Sequence, residues 1–180
     1  MVIEAKTAER EHVLAVARAM CAAARTAPKA RGIDNLYTTI LTGEDKDRLA
    51  DEMERLAPVL QMDFFLRDAQ NVRDSEAVVL FGIMGTQHGL GKSCSLCGFE
   101  GCGACADAGG VCVFRPLDLG IAVGSAVSVA ADARVDSRVM FSIGRTAVEM
   151  GLLPKEATVI MGTPLSVSGK SPFFDRKPKE

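Results

Sequence analysis

The chain has 180 residues, is 48% hydrophobic and 24% charged, and carries a formal net charge of −2. A length of this order predicts a single domain over 1–180, burying roughly 70% of the surface its unfolded form exposes, and the composition excludes a disordered chain. The small net charge, no Trp and one Tyr leave little to attract phosphates or stack bases, so nucleic acid is excluded as a partner.

Met1 to Lys6 runs into mixed charges rather than an apolar leader, which predicts a cytoplasmic protein. Apolar residues at Val13, Val16, Ala17, Met20, Cys21 and Ala24 recur at helical spacing. They predict a helix from about Thr7 to Arg25, ended by Pro28 and Gly32. Leu36 to Leu41 is β-branched, aromatic and bounded by glycines, as expected of a strand. Thr42 and Asp45 have capping-box spacing for a helix through Leu49, Met53 and Leu56 that stops near Pro58. A short helix is expected from Gln61 to Asn71. Ala77 to Ile83 is apolar on both faces, the pattern of a central strand covered on two sides.

The longest apolar stretch, Leu119 to Ala131, lies between Asp118 and Asp132. It falls short of the ~20 residues of a bilayer span and reads as a buried helix, with no membrane. Gly120, Gly124 and Ser128 form a stripe on it where another backbone can approach. A helix from Asp136 to Gly151 and a strand from Ala157 to Met161 complete the expected elements. The tail after Gly169, with Lys170, Arg176, Lys177 and Lys179, reads as a surface or inter-subunit segment of a homodimer.

Five of the six cysteines fall between Cys94 and Cys112, spaced Cys-x2-Cys-x4-Cys-x2-Cys-x6-Cys, inside a Cys-rich insertion over 85–115. In a reducing compartment such thiols serve as metal ligands more often than as disulfides. An iron-sulfur cube needs four thiolates converging on one small volume, and glycines at 98, 101, 103, 109 and 110 permit the tight wrapping. Zinc competes, since two Cys-x2-Cys pairs also suit a tetrahedral site, although structural zinc pairs usually stand well over ten residues apart and these are four apart. Disulfides or free thiols are the remaining readings. Cys21, on the apolar face of the first helix, reads as a buried small hydrophobe.

Gly85 to Ser93 ends in Gly-Lys-Ser, yet five residues separate Gly85 from Gly91 where a phosphate loop requires four. Nucleotide hydrolysis is therefore not expected. His88 reads as a solvated loop histidine that lies near the cysteines.

Cys94, Cys97 and Cys102, in the order Cys-x2-Cys-Gly-x3-Cys, resemble the ligand pattern of small iron-sulfur domains in anaerobic electron-transfer proteins. That resemblance implies a [4Fe-4S] cluster with a later fourth ligand, Cys112, and leaves Cys105 spare. With Ala24 to Gly32 and Gly162-Thr163-Pro164-Leu165-Ser166 added, the chain resembles the uncharacterised family of ferredoxin-domain-containing proteins of anaerobic bacteria and archaea.

A second similarity is to flavin-dependent nitroreductases, in which a first helix leads to an Ala-Pro turn, a strand and a helix. Ala27-Pro28, the Leu36 strand and the Leu49 helix follow that order. The similarity implies an α+β fold in a three-layer arrangement, a central mixed or antiparallel sheet flanked by helices, with the Cys-rich loop inserted. It also implies FMN near a turn carrying Arg25, Lys29, Arg31 and Asn35. The residues that grip the flavin phosphate before the first helix have no match here, and Arg25 and Lys29 are equally suited to complementing a helix C-terminus. The expected function is an electron-transfer or redox protein with a redox partner protein, or a flavin-linked oxidoreductase. The alternative is a metal-stabilised binding module without catalysis.

Overall fold

The computed structural model describes residues 2–85, 87 and 89–174. His88, Arg176, Lys177 and Lys179 lie outside the described residues. Helix α1 (Ala5–Thr26) leads through a single 3-10 turn (Ala30–Gly32) to strand β1 (Leu36–Leu41). Helices α2 (Gly43–Leu60) and α3 (Phe64–Arg73) precede strand β2 (Ala77–Met84). After the cysteine segment, with its short helix α4 (Cys102–Asp107), come α5 (Phe114–Asp132), β3 (Asp136–Ser137), α6 (Phe141–Glu149) and β4 (Ala157–Ser166).

The four strands form one antiparallel sheet in the order β1-β2-β4-β3. β2 is its centre, paired from Leu36↔Ile83 to Leu41↔Val78 on one side and from Ala77↔Leu165 to Met84↔Ala157 on the other. Side chains alternate across a strand, so β2 feeds two cores. Val79, Phe81 and Ile83 pack with Val13, Val16 and Met20 of α1 and with Leu119, Ala122 and Ala126 of α5. Val78 and Leu80 pack with Leu49 and Met53 of α2, Phe65 and Val72 of α3, and Ile143 and Ala147 of α6. The result is the expected three-layer α+β arrangement, with an antiparallel sheet. Full burial of each such side chain is worth about 1.5–3 kcal/mol, which is why the apolar run at β2 is continuous.

The departures from the sequence reading have local causes. Thr42 stands at the N-terminal cap of α2 in extended conformation but makes no side-chain cap bond. Glu44 and Asp45 supply negative charge to the first turn instead. Pro58 lies inside α2, which runs on to Leu60. The helix expected from Asp136 begins only at Phe141, because Asp136 and Ser137 pair with Ser166 and Leu165 as β3. β4 runs past the expected Met161 to Ser166, through Pro164 opposite Val78. Helix α5 is apolar but not wholly buried: Leu117, Gly120, Ile121 and Gly124 face outward, and among the described residues nothing lies within 4 Å of a Cβ placed on either glycine.

Helix α6 lies directly on the backbone of β4. A Cβ built on Gly144 would collide with the Ile160 carbonyl, and one on Gly162 with the Ile143 side chain. Gly144→Ala is therefore expected to destabilise by about 1–3 kcal/mol through overpacking, whereas Gly120→Ala, open on α5, is expected to be neutral or stabilising by about 0.5–1 kcal/mol. Urea denaturation of the two variants checks the contrast.

Candidate metal centre

The cysteine segment leaves the sheet at the end of β2, where Gly85 N–H donates to the Glu156 carbonyl at 2.9 Å. The loop then closes on itself. Gln87 Nε2 donates to the Gly110 carbonyl at 3.2 Å, and the amides of Cys94 and Cys102 both reach the Gly91 carbonyl at 3.4 Å. Gly101, at φ +92°, allows that crossing: a Cβ there would stand 2.8 Å from Lys92 Cα and 2.9 Å from the Gly91 oxygen. Gly110 leaves room for the Phe99 ring, 2.7 Å from where its Cβ would be. These two positions let the cysteine-bearing loop fold back on itself.

Helix α4, which the sequence reading treated as loop, sets Cys102 and Cys105 three residues apart and so on neighbouring positions of one face. Cys105 and Cys112 are buried, while Cys94, Cys97 and Cys102 are partly exposed. Burial pushes the Cys105 thiol up, its hydrogen bond and charge interaction with Cys97 and the charge of Cys112 add to this, and the hydrogen bond with Gln87 opposes it. Cys105 thus pairs with Cys97 and lies near enough to Cys112 to feel its charge. Among the described residues no three His, Cys, Asp or Glu side chains are gathered as ligands of one ion, and all six cysteines are free thiols. The donor set, soft thiolates inside a glycine wrap, suits an iron-sulfur cluster, in which each thiolate binds its own iron. A single tetrahedral zinc, with Zn–S near 2.3 Å, requires all four sulfurs within about 4 Å of one another.

Cys21 stands apart on α1. Burial raises its thiol, against a hydrogen bond with Thr38 and the charge of Arg25.

The four residues of the turn after α1 are engaged within the fold. Arg25 Nη1 donates to Asp34 Oδ2 at 2.6 Å and to the Leu36 carbonyl at 2.7 Å. Lys29 Nζ donates to the carbonyls of Ala24, Arg25 and Ala27 at 3.1, 2.7 and 2.9 Å, satisfying the C-terminal end of α1. Partial burial alone would raise the Asp34 carboxyl, but the bonds from Arg25 and the Leu36 amide and the charges of Arg25 and Lys29 hold it below its ordinary value. Arg31 Nη1 reaches the Gly89 carbonyl at 3.4 Å and so touches the start of the cysteine loop. The Asn35 carbonyl accepts from Met84 N–H at 3.0 Å, beside the β1-β2 pairing.

Two functional candidates escaped the sequence reading. Arg115, in the first turn of α5, is 1% exposed and is the largest fully buried side chain, and Asp118, one turn on, is 3% exposed. Asp118 Oδ1 accepts from Ala30 N–H at 2.9 Å, tying α5 to the turn after α1. Between them opens an apolar groove of about 290 Å³ lined by Pro28, Lys29, Ala30, Phe114, Leu117, Asp118 and Ile121. The available signal is an Arg and an Asp three residues apart at the head of an apolar helix, where Asp118 reads only as the boundary of the apolar stretch.

The model of a family described as "Uncharacterized protein containing a ferredoxin domain (DUF2148)" matches residues 108–176. That stretch includes Cys112, α5, α6 and β4 but begins after Cys105. An uncharacterized protein of Archaeoglobus fulgidus is 42% identical over 188 residues, with both chains covered in full. Among solved structures, a nitroreductase with bound FMN from Bacteroides fragilis aligns with TM-score 0.61 at 12% identity, covering 100% of this chain and 86% of that one. A Lactococcus lactis nitroreductase in complex with chloramphenicol gives 0.58 at 18% identity, covering 90% of this chain and 82% of that one. The NADPH:FMN oxidoreductase of Vibrio harveyi complexed with NAD+ gives 0.57 at 12% identity, covering 92% of this chain and 63% of that one. At these identities the likeness is one of fold.

The burial pattern sets an order of thiol reactivity in metal-free protein. Cys94 is expected to alkylate with iodoacetamide several-fold faster than Cys105 at neutral pH, and Cys105 labelling should rise only above the ordinary thiol range near about 8.5. Peptide mass spectrometry at timed quenches reads the order directly.

Proposed function

Because the chain belongs to the family of uncharacterized proteins containing a ferredoxin domain, we propose that it is an electron-transfer protein whose working centre is a [4Fe-4S] cluster between Cys94 and Cys112. The observation that carries this reading is the pairing of buried Cys105 with Cys97, with Cys112 also near Cys105, inside a loop closed by Gly101 and Gly110. When bound, such a cluster supplies one-electron transfer. The chain supplies the thiolates, excludes water from the side of Cys105 and Cys112, and leaves the side of Cys94, Cys97 and Cys102 partly open to a redox partner.

This reading takes Cys97, Cys105 and Cys112 as ligands and draws the fourth from Cys94 and Cys102, whose amides share the Gly91 carbonyl. It departs from the assignment by sequence resemblance, which kept Cys94, Cys97, Cys102 and Cys112 and set Cys105 aside. A spare thiol has little reason to be the most buried of the five, at 1% exposure and against another cysteine.

A flavin is the second reading, favoured by the groove beside Pro28 and Lys29, which reaches Phe114, two residues beyond Cys112. Its volume lies at the lower edge of the roughly 300–1,000 Å³ of small-molecule sites. With FMN the protein would be an oxidoreductase; without it, a carrier.

Protein purified without oxygen is expected to show broad visible charge-transfer absorption that bleaches on reduction with dithionite. A colourless protein with one zinc per chain would support the metal-stabilised binding module instead. In the same preparation Cys105→Ser should lose most of the iron, and a full iron content in that variant would return Cys105 to the spare position. Saturable quenching of FMN fluorescence separates oxidoreductase from carrier.

A further inference from the structure

Gln87 carries no mark in the sequence, standing between Gly85, where the chain leaves the sheet, and Cys94, the first thiol of the segment. Three hydrogen bonds tie its amide to Cys105. Gln87 Nε2 donates to the Gly110 carbonyl at 3.2 Å. Gly110 N–H in turn donates to the Cys105 carbonyl at 2.7 Å, closing the turn that follows α4. The Gln87 side chain also hydrogen-bonds the Cys105 thiol in the sense that favours its charged form, which is the sense of a donor. Because a carbonyl faces it, the atom at Gly110 is the amide nitrogen, and that nitrogen has a second N–H to offer the sulfur. Gln87 is half-buried and Cys105 is 1% exposed, so the bond forms away from bulk water, where it is stronger.

We propose that Gln87 is a positioning residue of the metal centre: its second N–H donates to the Cys105 thiolate, and this bond makes the bound cluster easier to reduce. The proposal rests on the iron-sulfur reading with Cys105 as a ligand. Hydrogen bonds to the sulfurs are among the factors that set the reduction potential of such clusters. A metal-bound thiol is deprotonated, and a donor aimed at it gains as the negative charge grows. The step concerned is uptake of one electron from a one-electron donor such as dithionite; no bond is broken and no proton leaves Gln87. The difference between a hydrogen bond to a charged acceptor and one to a neutral acceptor amounts to about fivefold in such an equilibrium.

The experiment uses cluster-loaded protein reduced by one electron, which leaves an unpaired spin at the metal centre. Glutamine side chains are labelled with nitrogen-15, and electron–nuclear double resonance reads their coupling to the spin. Of the three glutamines, Gln61 ends α2 and Gln70 lies on α3, where it donates to Asp74, so a coupled nitrogen identifies Gln87. Coupling is expected in native protein and is lost in Gln87→Met, which keeps the length but has no N–H. At an ambient potential where the native protein is half reduced, Gln87→Met should lower the ratio of reduced to oxidised protein by about fivefold. Gln87→Glu, which puts an acceptor where the donor was, should lower it at least as far. A residue that only closed the loop would change iron content without moving the ratio in the protein that stays loaded. If Gln87→Met retains no iron, Gln87→Glu supplies the ratio, and where neither retains it the coupling in native protein alone decides. No coupled nitrogen in native protein, or an unchanged ratio in a variant that holds its iron, overturns the proposal while leaving the cluster in place. A native protein that takes up no iron and sulfide overturns the iron-sulfur reading, and this inference with it.

Discussion

Strand β2 has neither a free edge nor a free face. β1 and β4 pair along its two sides, and two helix layers cover its two surfaces. Most of the architecture follows from satisfying that one strand. Its odd-numbered side chains require α1 and α5, its even-numbered ones require α2, α3 and α6, and the chain beyond Met84 can emerge only at the end of the sheet. The cysteine segment fills that exit and returns as α5 into the layer that covers Phe81. The cysteine segment is thus an insertion between a central strand and the helix that packs on it, joined at both ends to elements of the core.

The polar interactions that matter most sit where helices end. Lys29 satisfies the last carbonyls of α1, and Lys46, 6% exposed, donates to the Val72 and Arg73 carbonyls at the end of α3. Asp118 accepts the Ala30 amide. Unpaired backbone groups in such places cost about 1–3 kcal/mol each, so these side chains fix the turn after α1 against the head of α5. That junction frames the groove beside Pro28, next to the cysteines. The chain shares its fold with a nitroreductase solved with bound FMN, and here the layered frame carries the cysteine segment between β2 and α5.

What could be read from sequence were the features with a strong period. β1 emerged at its observed bounds, Leu36 to Leu41, because β-branched residues between two glycines admit little else. α1 and β2 were legible for similar reasons. β3 and the second half of β4 were not, because Asp136 and Ser137 carry no strand pattern and Pro164 reads as a breaker; only pairing with a neighbour made them strands. Helix α4 was hidden by its composition, since Cys-Gly-Ala-Cys-Ala-Asp resembles a wrapping loop, and with it was hidden the proximity of Cys105 to Cys97. Lys29 offers two readings from sequence, contact with a flavin or the end of a helix, and its ammonium donates to the carbonyls at the end of α1. Arg115 could not be placed from sequence at all, because an Arg at a helix start is ordinarily solvated.

The central claim concerns the number and kind of metal ions between Cys94 and Cys112. Mössbauer spectroscopy of protein loaded with iron-57 and sulfide under anaerobic conditions tests it most directly, because it counts irons and reports their coupling. The account predicts four irons per chain in one coupled, sulfide-bridged cluster. A single isolated iron on four thiolates, or no iron retained after gel filtration, would contradict it.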